Sequence, residues 1–93
     1  MAVYRDNIEF STGGHADTRD LTGAAEEILR NSDLDQGIMV LFCSSSTSGL
    51  TTIEYESGAL SDLKRVFDEI APQNREYRHN LRWGDGNGHS HVR

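Results

Sequence analysis

The residues best suited to chemistry lie in the second half of the chain, where imidazoles and a carboxylate occur close to glycines. His79, His89 and His91 fall within the last fifteen residues, and the fourth histidine is His15. Neutral imidazole is a common metal ligand, and the protonated ring donates hydrogen bonds to anions. The pattern therefore predicts a metal or anion site at this end of the sequence.

His89 and His91 are two residues apart, so on a β-strand their side chains would point to the same side and both could reach one ion. His79 could supply a third ligand. An H-x-H pair is a weak signal by itself, because exposed histidines in a glycine-rich loop are also found simply solvated. Both interpretations stay open at this point.

Hydroxyl side chains and one carboxylate form a second group of candidates. The run 44–48, followed by Gly49, could bind phosphate through hydroxyls and backbone amides, with Arg82 or Arg93 as cationic partners. It lacks the P-loop pattern, and a flexible polar turn is the simpler interpretation. Glu54 is the carboxylate best placed to be a base or ligand, and a surface charge on an edge strand is the alternative.

Composition limits the classes of partner. The net charge of −6 argues against general binding to nucleic acid or to an anionic membrane surface. The charge is uneven, because residues 1–70 carry 5 Lys/Arg against 13 Asp/Glu, whereas residues 71–93 carry 4 Arg against 2 acids. The longest apolar run, 38–43, is too short to span a bilayer. A single cysteine, Cys43, and a polar start favour a cytoplasmic protein.

Hydrophobic periodicity predicts the elements that would position these residues. A helix is expected over the stripe from Leu21 to Leu29, ending near Asn31, and a second over Leu60 to Ile70, ending before Pro72. Strands are predicted at residues 8–12, 38–43 and 50–55, with another beginning near His89. This order indicates an α+β fold with a compact mixed or antiparallel sheet and two helices.

Three separated blocks of the sequence resemble one known family. The first runs from the apolar segment 37–42 into 46–54, a Thr-rich motif that ends at Glu54. The second is Tyr77-x-His79, and the third is the segment 87–93. In this order the blocks are similar to those of the YjbQ-like proteins, also called secondary thiamine-phosphate synthases.

The resemblance implies a compact α+β domain that assembles as a homotrimer with sites near subunit contacts. Family members usually continue past the position of Arg93 into further strands. Residues 1–93 are therefore expected to be a single YjbQ-like domain without those C-terminal strands. Typical members also carry histidines where this chain has Ser44 and Ser45.

The family's functional positions fall on Thr47, Glu54, His79 and His91, with polar partners beside them. The resemblance implies a synthase that joins a pyrimidine-methyl diphosphate to a thiazole phosphate, helped by a divalent metal, Mg²⁺ or Zn²⁺. Two alternatives are a non-catalytic or partial metal- or phosphate-binding oligomeric domain and a hydrolase using Cys43 or a serine. The predicted sites are catalytic Glu54, His79 and His91, metal-binding His79 and His91, and phosphate-binding Ser46, Thr47, Ser48, Asn87 and Arg93.

Overall fold

The structure of this chain, a computed structural model that describes residues 1–93, contains four helices and no β-strand. The helices are α1 (Thr22–Asn31), α2 (Ser57–Ile70), α3 (Arg78–Trp83) and α4 (Gly88–Val92). The chain divides into two compact units, Met1–Leu41 and Phe42–Arg93. The first unit contains α1, and the second contains the other three helices.

In the first unit, α1 carries one apolar stripe, and local side chains define both of its ends. The Asp20 carboxylate accepts a hydrogen bond from the Thr22 N–H at 3.0 Å, which holds the pKa of Asp20 below its ordinary value. At the other end the Ser32 hydroxyl donates to the Leu29 carbonyl, and Asp33 adopts a left-handed φ of 56°. That conformation is incompatible with another helical turn, so the helix ends there.

In the second unit, α2 begins at a side-chain cap and ends just before a proline. Glu56 is the N-cap residue, and its carboxylate accepts from the Ala59 N–H at 2.7 Å. Hydrogen bonds from Ala59 and then Gly58 hold the pKa of this carboxyl below its ordinary value. Pro72 lies two residues beyond Ile70 and cannot continue the helix, since it lacks the N–H that the helical hydrogen bond needs.

The side chain of Arg93, the last residue of the sequence, binds the C-terminal end of α2. Arg93 donates from Nε and Nη2 to the carbonyl of Ala71, the C-cap residue of α2, at 3.1 and 2.9 Å. Its Nη2 also lies 3.1 Å from the Asp68 carboxylate, and its guanidinium carbon is 5.9 Å from the ring centroid of Phe67. Ala71 is the one buried apolar side chain of this chain, at 6% exposed, and the Arg93 guanidinium binds its carbonyl.

The expectation of an α+β fold with a sheet is wrong for this structure. None of the segments 8–12, 38–43 or 50–55 is a strand, and the segment predicted to begin a strand near His89 is helix α4. The physical reason is that a strand satisfies its N–H and C=O groups only beside another strand, whereas a helix satisfies them internally. Alternating side chains show that a segment suits a sheet but do not supply its neighbour.

The two helix predictions are confirmed. The stripe begins at Leu21, the N-cap residue, and continues through α1, which ends at Asn31. The stripe of Leu60 to Ile70 lies in α2, which ends before Pro72. Both helices are amphipathic enough to be recognised without tertiary information. None of the four helices has the length and apolar character that crossing a bilayer requires.

Candidate functional site

Helices α3 and α4 bring together the histidines near the end of the sequence. Gly84 follows α3 in the left-handed conformation, at φ 70°, and its N–H donates to the Asn80 carbonyl at 2.9 Å. Glycine adopts this conformation without the steric cost that a side chain would add. The chain then turns through residues 85–87 and enters α4, so the two short helices pack against each other.

Gly88 makes that close packing possible. Its N–H donates to the Asn80 side-chain oxygen at 2.8 Å in a partly buried position. A Cβ on Gly88 would lie 2.6 Å from Tyr77 Cβ and 2.8 Å from Asn80 Oδ1, closer than non-bonded atoms approach. The first residue of α4 must therefore be glycine for the helix to lie where it does.

The result of this packing is a pair of stacked imidazoles. The rings of His79 and His91 have centroids 4.1 Å apart and an interplanar angle of 27°. His79 Nδ1 is also 3.4 Å from Asp85 Oδ1, a contact that is an ion pair only while His79 carries a proton. With its amide nitrogen turned toward that carboxylate, Asn87 donates to Asp85 at 2.9 Å and holds it in place.

His89 does not join the pair, because a helix sends residues two apart to nearly opposite sides. Its side chain is buried, and its ring centroid is 6.5 Å from that of Tyr77 in a tilted arrangement. The Tyr77 hydroxyl in turn donates to the Pro72 carbonyl at 2.7 Å. His89 thus packs in the interior of the second unit, and His91 is the one that meets His79.

The stacked orientation does not suit a shared metal ion. Nitrogen lone pairs lie in the ring planes, so an ion about 2.1 Å from both nitrogens must lie close to both planes. Nearly parallel rings with centroids 4.1 Å apart would instead place it against their faces. No group of three or more His, Cys, Asp or Glu side chains is positioned to hold a metal. A metal role for His79 and His91 stays a prediction that requires the rings to turn.

The predicted hydroxyl site is an exposed turn stabilised by its own side chains. Thr47 N–H donates to the Ser45 hydroxyl at 3.2 Å, and the two hydroxyl oxygens are also 3.2 Å apart. Ser46 and Ser48 are exposed in the same turn. No hydrogen bond, ion pair or ring contact joins this turn to the imidazole pair.

The other predicted residues lie apart from the pair or are engaged elsewhere. Glu54 is exposed before α2, where its carbonyl accepts from the Glu56 N–H at 2.9 Å, and its side chain makes no ion pair. Asn87 is the N-cap residue of α4 and lies beside Asp85. The Arg93 guanidinium is used by the clamp on Ala71 and Asp68. The structure therefore brings together His79 and His91 but not the full predicted set.

Sequence reasoning missed the residues that build the pair. Asn80, Asp85 and Gly88 position the rings, yet none of them was selected as a functional residue. Gly88 is the one with a usable signal, since glycine is common where the backbone must approach other atoms closely. The roles of Asn80 and Asp85 depend on contacts that have no local signature.

Comparison with known proteins shows which family the chain resembles. The model of the family described as "UPF0047 protein YjbQ-like" matches residues 6–93. The chain belongs to this family. The resemblance drawn from the three sequence blocks is thereby confirmed.

A curated relative gives the extent of the match. The chain is 31% identical over 93 residues to a "UPF0047 protein" of Methanothermobacter thermautotrophicus. The alignment covers all of this YjbQ-like chain and 64% of the relative, so the chain spans less than two thirds of the relative's length. No solved structure matches the chain.

Proposed function

We propose that this YjbQ-like chain binds a phosphorylated small molecule at the His79–His91 pair, without catalysing a reaction on its own. The observation that carries the proposal is the stacking of the two imidazoles at 4.1 Å. Two rings this close repel each other when both are protonated, and a bound anion relieves that repulsion. Phosphate, with up to two negative charges and several acceptor oxygens, is well matched to two imidazolium donors.

The surrounding charge supports an anionic ligand. The acidic excess of the chain lies in residues 1–70, and residues 71–93 carry more arginine than acid. Arg78 and Arg82 lie on α3 with His79, and Arg82 is three residues along, a spacing that puts two side chains on one helical face. The Asp85 carboxylate would repel a nearby anion, but it also holds a protonated His79 in position.

The synthase activity implied by the resemblance is a more specific alternative to simple phosphate binding. It needs the leaving diphosphate neutralised and Glu54 placed with His79 and His91. Glu54 has no contact with either histidine in this chain, and the ring orientation does not suit a metal. These two features favour binding over turnover for residues 1–93.

Proton NMR of the imidazole signals during addition of phosphate tests the proposal directly. Inorganic phosphate is added in metal-free buffer, and chloride at equal ionic strength serves as the comparison. We expect phosphate to shift the His79 and His91 signals and chloride to leave them nearly unchanged. His79→Ala and His91→Ala should each abolish the response.

His15→Ala is the matched control, because His15 lies in the first unit, outside the pair. It should leave the phosphate response intact. A phosphate-induced shift of the remaining histidine signals in a variant that lacks both His79 and His91 would place binding elsewhere. Product formation from the pyrimidine diphosphate and thiazole phosphate, with Mg²⁺ or Zn²⁺ added, would instead favour the synthase.

A further inference from the structure

Asn87 and Gly88 form the one Asn-Gly pair in the sequence, and they lie where the chain enters α4. The other asparagines precede isoleucine, serine, arginine or leucine. Asparagine is a thermolabile residue, and it reacts most readily before glycine, which has no side chain to hinder attack by its own amide nitrogen. The pair is therefore a position at which the chain can modify itself, directly beside the candidate site.

The reaction at such a pair needs no reagent other than water. The Gly88 amide nitrogen loses its proton and forms a bond to Asn87 Cγ, the Cγ–Nδ2 bond breaks, and the departing nitrogen takes up a proton and leaves as ammonia. Water then opens the cyclic imide. Attack of water at Cγ gives aspartate. Attack at the backbone carbonyl carbon gives isoaspartate, whose main chain passes through Cβ and Cγ and is one atom longer.

The folded chain holds the attacking nitrogen away from this reaction. Gly88 is buried, and its N–H donates to Asn80 Oδ1 at 2.8 Å. That hydrogen bond favours the protonated amide, whereas cyclisation needs the deprotonated nitrogen turned toward Asn87 Cγ. A Cβ on Gly88 would lie only 2.6 Å from Tyr77 Cβ, so the peptide has little room to turn while α3 and α4 are packed. Cyclisation therefore requires the two helices to separate.

The product changes the charge beside the imidazole pair. With its amide nitrogen turned toward Asp85, Asn87 donates to that carboxylate at 2.9 Å. Deamidation replaces the donor by a carboxylate oxygen, so the hydrogen bond becomes a contact between two negative groups. Asp85 Oδ1 is also 3.4 Å from His79 Nδ1, so the repulsion displaces the acidic partner of His79. The added charge lies close to where an anion would bind.

We propose that Asn87–Gly88 is a deamidation site, that the hydrogen bond to Asn80 suppresses its reaction in the folded chain, and that the aspartate product weakens anion binding at the His79–His91 pair. The last part rests on the proposed function. The first two parts rest on the contacts of Gly88 alone. Because local opening governs the reaction, the modification records how often α3 and α4 separate.

Mass spectrometry of tryptic peptides measures the reaction at single asparagines. Trypsin cleaves after lysine and arginine, so Asn87 is the one asparagine of the peptide 83–93, and Asn74 is the one asparagine of the peptide 66–75. Replacement of the amide by a carboxyl raises the peptide mass. Isomerisation at the neighbouring Asp85–Gly86 pair leaves the mass unchanged and does not enter the measurement. Asn74 precedes arginine and serves as the internal control that should stay an amide.

We expect Asn87 to deamidate slowly in the folded native chain and faster in the same chain unfolded by guanidinium chloride. Asn80→Ala should raise the rate in the folded chain by about 5- to 30-fold, because the rate follows the population of the open state. Asn80→Asp keeps an acceptor oxygen for the Gly88 N–H and should retain the slow native rate. This variant and the unfolded native chain provide the decisive comparison if Asn80→Ala does not fold.

Three outcomes would overturn the protected site. They are equal rates in the folded and the unfolded native chain, an Asn80→Ala rate no higher than the native rate, and an Asn80→Asp rate as high as that of the unfolded chain. Each would show that the hydrogen bond from Gly88 to Asn80 does not restrain the reaction.

The effect of the product is measured on Asn87→Asp, with the imidazole signals followed by proton NMR as inorganic phosphate is added. We expect phosphate binding at least about fivefold weaker than in the native chain, the effect of one like charge about 4 Å away in bulk water. Asn74→Asp is the matched control, since it makes the same charge change at an exposed position of the second unit and should leave binding unchanged.

Undiminished phosphate binding in Asn87→Asp would refute the effect assigned to the product. A native chain without any phosphate response would refute the proposed function instead. The deamidation rates would then still decide whether Asn80 protects the Asn87–Gly88 pair, because they do not depend on a ligand.

Discussion

Replacement of Gly88 by alanine is the most direct test of how the candidate site is built. The added Cβ would lie 2.6 Å from Tyr77 Cβ, an atom attached to the backbone that no rotamer change can move. Carbon atoms in contact are separated by about 3.5 to 4.0 Å, so the start of α4 must withdraw from α3 by about 1 Å. The Gly88 hydrogen bond to Asn80 would lengthen by a similar amount.

The cost follows from these contacts. Overpacking at a fixed backbone costs about 1 to 3 kcal/mol, and weakening a partly buried hydrogen bond adds about 1 kcal/mol. The greater helix propensity of alanine returns up to about 1 kcal/mol. We therefore expect Gly88→Ala to destabilise the packing of α3 against α4 by about 1 to 3 kcal/mol, which corresponds to a shift of about 5- to 150-fold in its equilibrium.

The assay is nuclear Overhauser contact between the ring protons of His79 and His91, measured with urea unfolding on the same samples. Gly88→Ala should weaken or abolish the ring contact and lower the unfolding midpoint. Gly86→Ala is the matched control, because a Cβ there meets no atom within 4 Å, and it should change neither quantity. Unchanged ring contacts and stability in Gly88→Ala would refute the proposed packing.

Three further changes test other parts of the structure. Arg93→Ala removes three hydrogen bonds from a side chain that is 10% exposed. We therefore expect urea unfolding to show a free energy of unfolding lower by about 1 to 3 kcal/mol. Arg65→Ala breaks only exposed ion pairs and should have little effect on that free energy. Asn80→Ala leaves the Gly88 N–H without its acceptor and should lower the free energy of unfolding by about 1 to 2 kcal/mol. The contact between the His79 and His91 rings should be lost in this variant. Retention of that contact would argue against the role given to Asn80. The pKa of Glu56 is held below its ordinary value by the Ala59 and Gly58 N–H groups, so the cap stabilises α2 above the ordinary carboxyl pKa and is lost as the pH falls below it. Circular dichroism between about pH 5 and about pH 3 should show a helicity loss in the native chain that is smaller in Glu56→Ala, and equal losses would contradict the capping role.

The helices were predictable because their signals are local. The apolar stripes of α1 and α2 and the proline after α2 all lie within a few turns of the residues they govern, and a helix needs no distant partner. The segment 38–43 was predicted to be a central strand covered on both faces, but Ile38, Val40 and Phe42 are exposed. Its interpretation as a strand was wrong because strand formation depends on a neighbour, and none lies beside it in this chain.

The candidate site was predictable in its residue types but not in its geometry. Composition alone indicated that His79 and His91 belong to a basic, histidine-rich end, and the blocks around them indicated the family. Which histidine meets His79 was decided by the helical conformation of residues 88–92, since a strand would have paired His89 with His91. Expectations for Glu54 and for residues 46–48 rested on a predicted strand, a hydroxyl-rich loop and the family resemblance, and none of these gives a distance to the histidines.

For this protein, then, the sequence by itself determined the family, through three separated blocks, and the two longest helices, whose apolar stripes are written in residues close together along the chain. Tertiary structure alone decided that Gly88 packs against Tyr77 and Asn80, that His91 stacks on His79 and that Arg93 closes the end of α2. Those contacts join residues up to 25 positions apart. They depend on where whole helices come to rest, which no local pattern encodes.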